Sequence, residues 1–100
     1  MKEITLSGVL EFEWDEGNNT KSWIKHRVSI NEQEQPFFDK NKRVFIDSKH
    51  SKDEQRLLLF GSTKKGRMLI IAFTNRKDKI RCISARPMNR KEKPIYEKST

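Results

Sequence analysis

The sequence predicts an α+β fold: two N-terminal helices, a small antiparallel β-sheet built as a meander of three to four strands, and a C-terminal helix. Three observations carry that expectation. Residues 56–61 (RLLLFG), 67–74 (RMLIIAFT) and 79–85 (KIRCISA) are apolar runs of strand length. The links between them, STKKG and NRKD, have the composition of turns. Helix-starting signals stand on either side of these runs, at Asp15 and Ser29 upstream and at Asn89 with Glu92 downstream.

Taken in order, residues 1–10 form an N-terminal extension, a strand or disordered, ahead of a single domain over 11–98. Residues 9–14 (VLEFEW) alternate apolar and acidic, the period of a strand. Residues 16–26 are a weak helix whose buried positions are expected to be Trp23 and Ile24. Gly17, Asn18 and Asn19 weaken its first turn. Ser29 caps a short helix through NEQEQ, which Pro36 stops or bends, with Val28, Ile30, Phe37 and Phe38 as apolar anchors. Residues 43–46 (RVFI) read as a strand and 47–53 as a polar loop. The run 67–74 is apolar on both faces, so it belongs at the centre of the sheet. In a regular last strand, Ile80, Cys82, Ser84 and Arg86 share one face and Arg81, Ile83 and Ala85 the other. Residues 88–98 form the terminal helix, limited by Pro94.

Composition narrows the function. The chain has 100 residues, of which 33% are apolar and 36% charged, so its core is thin. Six Phe and two Trp argue against disorder. No apolar run approaches the roughly 18 residues of a membrane span. Acids occupy the opening MKEITLSGVLEFEWDE where an export signal has its apolar centre. A lone cysteine, Cys82, makes neither an internal disulfide nor a Cys-based zinc site. A reducing cytoplasm is the expected compartment, without membrane association. The net charge of +8 is lopsided: residues 1–50 hold eight Lys/Arg against nine Asp/Glu, and residues 51–100 fourteen against five. Such a balance suits a polyanionic partner, RNA, DNA or an acidic protein, or else a merely solvated surface.

Several chemistries lack their parts. Only His26 and His50 are available to a nucleophilic triad, and there is no G-x-S-x-G turn. Gly8, Gly17, Gly61 and Gly66 are scattered, so no loop cradles phosphate. No His, Cys and acid cluster has metal-ligand spacing, and neither metal nor cofactor is expected. RNA cleavage remains feasible, because RNA carries its own nucleophile in the 2′-hydroxyl. The protein then needs groups to move protons and cations to stabilise the phosphorane. Arginines hold phosphate by paired hydrogen bonds, and a His, Glu, Lys or Tyr moves protons. A non-catalytic basic module that docks RNA or protein is the alternative.

The motifs FEWD (12–15), KH-x-V-S (25–29), F-x-D (37–39), H-S-x-x-E-x-R (50–56), G-x-x-x-x-G-R (61–67), R-x-D-x-I-R-x-I-S-A-R (76–86) and E-x-x-x-Y (92–96), in that order, resemble the BrnT family. The likeness covers roughly residues 11–97. It implies a bacterial type II ribonuclease toxin with a RelE-like fold that arrests translation. It implies a ribbon-helix-helix, DNA-binding antitoxin as partner, with the complex repressing its own operon and touching operator DNA only through the antitoxin. On the matching positions, Arg56, Arg76, Arg81 and Arg86 are expected to hold phosphate and the transition state, and His26, Glu54 or Tyr96 to carry protons. Lys25, Lys64, Lys65, Arg67 and Arg90 are expected to bind RNA. The sequence departs from the family pattern at Asn18, where Lys is usual, at Ser22 (Asn), at Arg27 (Gly) and at Ile30 (Phe).

Overall fold

The computed structural model describes residues 2–6, 8 and 10–98. Its six strands are β1 (Lys2–Ile4), β2 (Glu11–Phe12), β3 (Arg43–Ile46), β4 (Leu57–Ser62), β5 (Met68–Arg76) and β6 (Lys79–Pro87). Its α-helices are α1 (Lys21–His26), α2 (Ile30–Glu34) and α3 (Lys93–Glu97). The strands form one sheet in the order β1-β3-β4-β5-β6-β2. Most neighbours pair antiparallel, but β2 runs parallel to β6, with Glu11 opposite Lys79 and Phe12 opposite Ile80.

This overturns the expected layout. The α+β, RelE-like arrangement of two N-terminal helices followed by a small antiparallel meander gives way to a mixed, six-stranded sheet that dominates the molecule. Two strands precede the first helix, and each α-helix is five or six residues long. The physical reasons are local. The chain through Gly17–Thr20 makes turns instead of helix, and Arg27 stops α1 in the left-handed region at φ 55°. Helix α2 has a full capping box between Ser29 and Glu32, but Pro36 follows at once and the chain tightens into a 3-10 turn over Gln35–Phe38. Asn89 and Glu92 do exchange side-chain and backbone hydrogen bonds, yet the helix they precede begins only at Lys93. Part of the N-terminal extension, Lys2–Ile4, pairs with β3; Met1, Ser7 and Val9 lie outside the described residues.

The sheet buries both faces. Leu57, Leu59, Leu69, Ile71, Phe73, Ile80, Cys82 and Ala85 point to the first face, where Val28 and Phe37 cover them. We call this the helix face, since α1, α2 and the 3-10 turn lie over it. Phe37 packs edge-on against Phe73, with ring centroids 4.9 Å apart, and against Phe12 at 5.1 Å. Phe45, Phe60 and Ile70 point to the opposite face, where Met88 and Tyr96 close over them from the α3 side. Strand β5 lies between β4 and β6 and is apolar on both sides, which explains its unbroken hydrophobic run.

Gly61 sits where β4 meets the 3-10 turn. A Cβ there would lie 2.9 Å from both Pro36 Cβ and Leu59 Cδ2 and 3.1 Å from the Pro36 carbonyl oxygen. Gly61→Ala is therefore expected to destabilise the protein by about 1–3 kcal/mol, read as a lower denaturant midpoint at unchanged m-value. Trp23 and Ile24, expected in the core, are instead exposed. Helix α1 turns Ser22 inward, whose Oγ accepts the Ala85 N–H at 2.8 Å. Among the described residues no helix is long and apolar enough to cross a membrane.

Candidate active site

An irregularity in β6 shapes the face opposite the helices. Ala72 pairs with Ser84 and Phe73 with Cys82, which leaves Ile83 as an extra, bulged residue. The bulge flips the phase of the strand. Ile80, Cys82 and Ala85 all reach the helix face, and Arg81 and Arg86 both fall on the other. The expectation that these two arginines point oppositely is thus corrected, because it assumed a regular strand.

Near the bulge lies the 47–56 segment, which joins β3 to β4. Ser51 closes its neck: its hydroxyl donates to the Asp47 carbonyl at 2.6 Å and accepts the Arg56 N–H at 2.8 Å. The Asp47 N–H donates to the Arg56 carbonyl at 2.8 Å. The result is a cavity of about 320 Å³ lined by His50, Lys52, Asp53, Glu54, Arg56, Thr74 and Ile83.

Within it, His50 Nδ1–H donates to Asp47 Oδ2 at 2.9 Å. A carboxylate only accepts, so Nδ1 carries a proton, and in the neutral imidazole Nε2 is then the accepting nitrogen. The imidazole is 56% exposed and Asp47 is nearly buried. Thr74 Oγ1 is buried without a hydrogen-bond partner among the described residues. Arg56 lines the cavity, and its guanidinium has no carboxylate partner among the described residues.

A chain of charges borders the cavity. Glu54 takes Arg76 in a two-pronged pair at 2.6 and 2.8 Å. Arg76 approaches Glu13 at 4.0 Å, and Glu13 accepts from Arg81 at 3.0 Å. Asp15 grips Arg81 with both oxygens at 2.7 and 2.9 Å. Hydrogen bonding to Arg76 holds the Glu54 carboxyl below its ordinary value, and hydrogen bonding to Arg81 does the same for Asp15. Both are therefore carboxylates at neutral pH. Gly17 makes this grip possible, since a Cβ on it would lie 2.8 Å from Arg81 Nη2. Asn18 anchors the same loop: its side-chain amide donates to the Glu13 and Cys82 carbonyls, each at 3.0 Å, and its Oδ1 accepts the Asp15 N–H.

Of the residues singled out from the sequence, Glu54, Arg56, Arg76 and Arg81 come together here. Arg86 shares their face but is bound two-pronged to Glu92 at 2.7 Å, towards α3. His26 and Lys25 lie on α1, on the helix side of the sheet. Arg67 binds the carbonyls of His26 and Arg27 and the Glu32 carboxylate. Lys64 and Lys65 occupy the β4–β5 turn, and Arg90 is exposed before α3. His50 and Thr74 were not anticipated as site residues. The signal for His50 was the Asp47-x-x-His50 spacing, one turn apart in a segment read only as polar loop.

Tyr96 stands apart from the cavity. Its hydroxyl donates to Asp39 Oδ2 at 2.6 Å, and burial together with that carboxylate pushes its phenol up to about 12. The unfolded chain loses this proton near 10 while the fold retains it until about 12. The contribution to stability is thus complete below pH 10 and is lost as pH rises through that window. Melting temperature measured from pH 9 to 12 should fall for the parent and fall less for Tyr96→Phe. Cys82 is buried and its thiol is pushed up to about 12 by desolvation, which makes it a packing group and no nucleophile at neutral pH. Among the described residues no three His, Cys, Asp or Glu side chains are placed to hold a metal ion.

The family model described as "ribonuclease toxin, BrnT, of type II toxin-antitoxin system" matches residues 14–92. No curated protein matches the chain. The matched span runs from the FEWD loop to the Arg86–Glu92 pair and contains the whole cavity.

Proposed function

Because the chain belongs to the BrnT family of type II ribonuclease toxins, we propose that it is an endoribonuclease whose catalytic centre is the cavity holding His50 and Arg56. The family brings with it an RNA substrate and a cognate antitoxin. The observation that carries the siting is the pairing of an oriented imidazole with an uncompensated guanidinium in one cavity.

In this reading the chemistry belongs largely to RNA. His50 Nε2 accepts the proton of a 2′-hydroxyl, and Asp47 holds the ring and stabilises the imidazolium that forms. The 2′-oxygen attacks the adjacent phosphorus, and the bond to the 5′-oxygen breaks. Arg56 stabilises the negative phosphorane by paired hydrogen bonds. Arg76, steadied by Glu54, stands next along the path of the backbone. The leaving 5′-oxygen takes its proton from solvent at the open mouth, and the products are a 2′,3′-cyclic phosphate and a 5′-hydroxyl. Since the 2′-hydroxyl is the nucleophile, no metal is required. DNA, which lacks it, is not cut.

The finer biology follows the same proposal. A single toxin domain over 11–98, with the N-terminal extension adding β1 to its sheet, acts in a bacterial cytoplasm and arrests translation. Its antitoxin is of ribbon-helix-helix type, and the complex represses its own operon through the antitoxin's DNA contacts. The test is direct. Purified protein is incubated with RNA in EDTA, and the ends are mapped. Cleavage to cyclic-phosphate ends is expected. Salt-sensitive binding that leaves RNA intact would instead identify a docking module.

A further inference from the structure

The apolar side chains that the fold leaves outside lie mostly on one side of it. Trp23 is 47% exposed, Ile24 69% and Phe38 67%. All three belong to the layer over the helix face, across the sheet from the His50 cavity. A groove of about 610 Å³ runs past Trp23, Ile30 and Asn31, and a second of about 300 Å³ runs past Asn31 and Phe38. The two grooves adjoin at Asn31, and together they are called the trough below.

Of the groups lining the second groove, Lys64 is a cation and Glu34 a carboxylate that accepts the Trp14 Nε1–H at 2.7 Å, while the charge on neighbouring α1 and its C-cap has one sign. Lys21, Lys25 and Arg27 make no ion pair among the described residues, whereas Arg43, Arg67, Arg76, Arg81 and Arg86 each hold a carboxylate. Arg27 lies over the Trp23 ring at 5.2 Å, which widens the apolar floor and keeps the cation at its edge. Burying such a surface against apolar side chains is favourable, and the free cations demand acids beside them.

We propose that this trough is the anchor site for an acidic, amphipathic segment of the cognate antitoxin. The proposal rests on the toxin reading given above, since that reading supplies the partner. Trp23 and Phe38 offer faces on which a base could stack, but aliphatic Ile30 in the groove and Ile24 next to Trp23 on α1 favour a protein helix over RNA as the occupant. The two isoleucines offer no stacking face and no hydrogen bond to a base, but they fit the apolar anchors of a helix laid in a groove. An exposed Trp in the midst of the patch has the character of an interface hot spot. The placement also separates docking from catalysis, because the trough and the His50 cavity are on opposite faces of one sheet.

The test uses the full chain and its co-expressed antitoxin. Ile24→Glu with Phe38→Glu replaces two exposed side chains and adds charge of the wrong sign for an acidic partner. Antitoxin affinity is expected to fall at least about 30-fold, with RNA cleavage by the free toxin and the thermal melt unchanged. Antitoxin affinity equal to the parent's overturns the proposal, as does a loss confined to RNA affinity. Trp23 fluorescence, isolated by comparison with Trp23→Phe, gives a second readout on the unaltered patch. Shielding from acrylamide in the parent complex is expected, and unchanged quenching refutes the site. If the parent itself neither cleaves RNA nor binds the antitoxin, the toxin reading fails instead.

Discussion

Replacing His50 by Gln is expected to slow RNA cleavage by about 10²–10⁴-fold, the usual range for loss of a positioned general base. The melting temperature should stay where it is. The imidazole is more than half exposed and bonds to Asp47 at the surface, so its removal leaves no cavity in the core. Asp47→Asn tests the same mechanism from the other side. An amide presents both a donor and an acceptor to the ring, so the tautomer is no longer fixed with Nε2 as the base. That variant should also lose activity, and the loss is one of ring orientation and charge. The Asp47 backbone receives Ser51 and bonds to Arg56, and those contacts survive the substitution. Single-turnover cleavage of a short RNA by the parent and both variants decides the matter. Full activity in His50→Gln removes the imidazole from the mechanism and shifts attention to the carboxylate of Glu54.

The parts of this picture that were legible in the sequence are those where burial speaks through periodicity. The runs around Leu57–Phe60, Leu69–Phe73 and Ile80–Ala85 are strands because nearly every residue in them is packed on one face or the other. What was not legible depends on single residues or on distant pairing. One extra residue at Ile83 reverses the face of everything after it, and no composition rule marks it. The alternation over 9–14 does mark a strand, but that β2 pairs parallel with β6, over sixty residues away in sequence, it does not show. Trp23 and Ile24 were expected inside because large apolar residues usually are. Their exposure reflects α1 presenting a small residue, Ser22, to β6 instead. The departures at Asn18, Ser22 and Arg27 make sense in this light. The first two supply side-chain bonds to β6 at Cys82 and Ala85, and Arg27 adopts the left-handed turn that Gly would take more easily. Within the site, arginines were visible by motif, but their partners were not. The carboxylates that neutralise Arg76 and Arg81 come from Glu13, Asp15 and Glu54, spread over forty residues.

That distinction between paired and unpaired arginines leads to the second large effect. Arg56→Ala is expected to reduce cleavage by about 10²–10³-fold, as for removal of one preorganised donor to a developing oxyanion, with no loss of thermal stability. Arg81→Ala should behave oppositely in kind. Its guanidinium bonds to Glu13 and Asp15, so its loss leaves two facing carboxylates without their cation and loosens the loop from FEWD to α1. The melting temperature falls, and activity falls only as far as the loop moves the cavity wall. Phosphate binding explains why the difference must arise. An arginine already engaged by both oxygens of Asp15 has to surrender those bonds before it takes a phosphate, whereas Arg56 has no carboxylate to give up among the described residues. Arg56→Lys keeps the charge without the two-pronged geometry, so it should recover only part of the rate. Cleavage rates and thermal melts of the three variants, taken side by side, separate the roles. If Arg81→Ala loses the rate at unchanged stability while Arg56→Ala retains it, the phosphate ligand is Arg81, and Asp15 must release it during turnover.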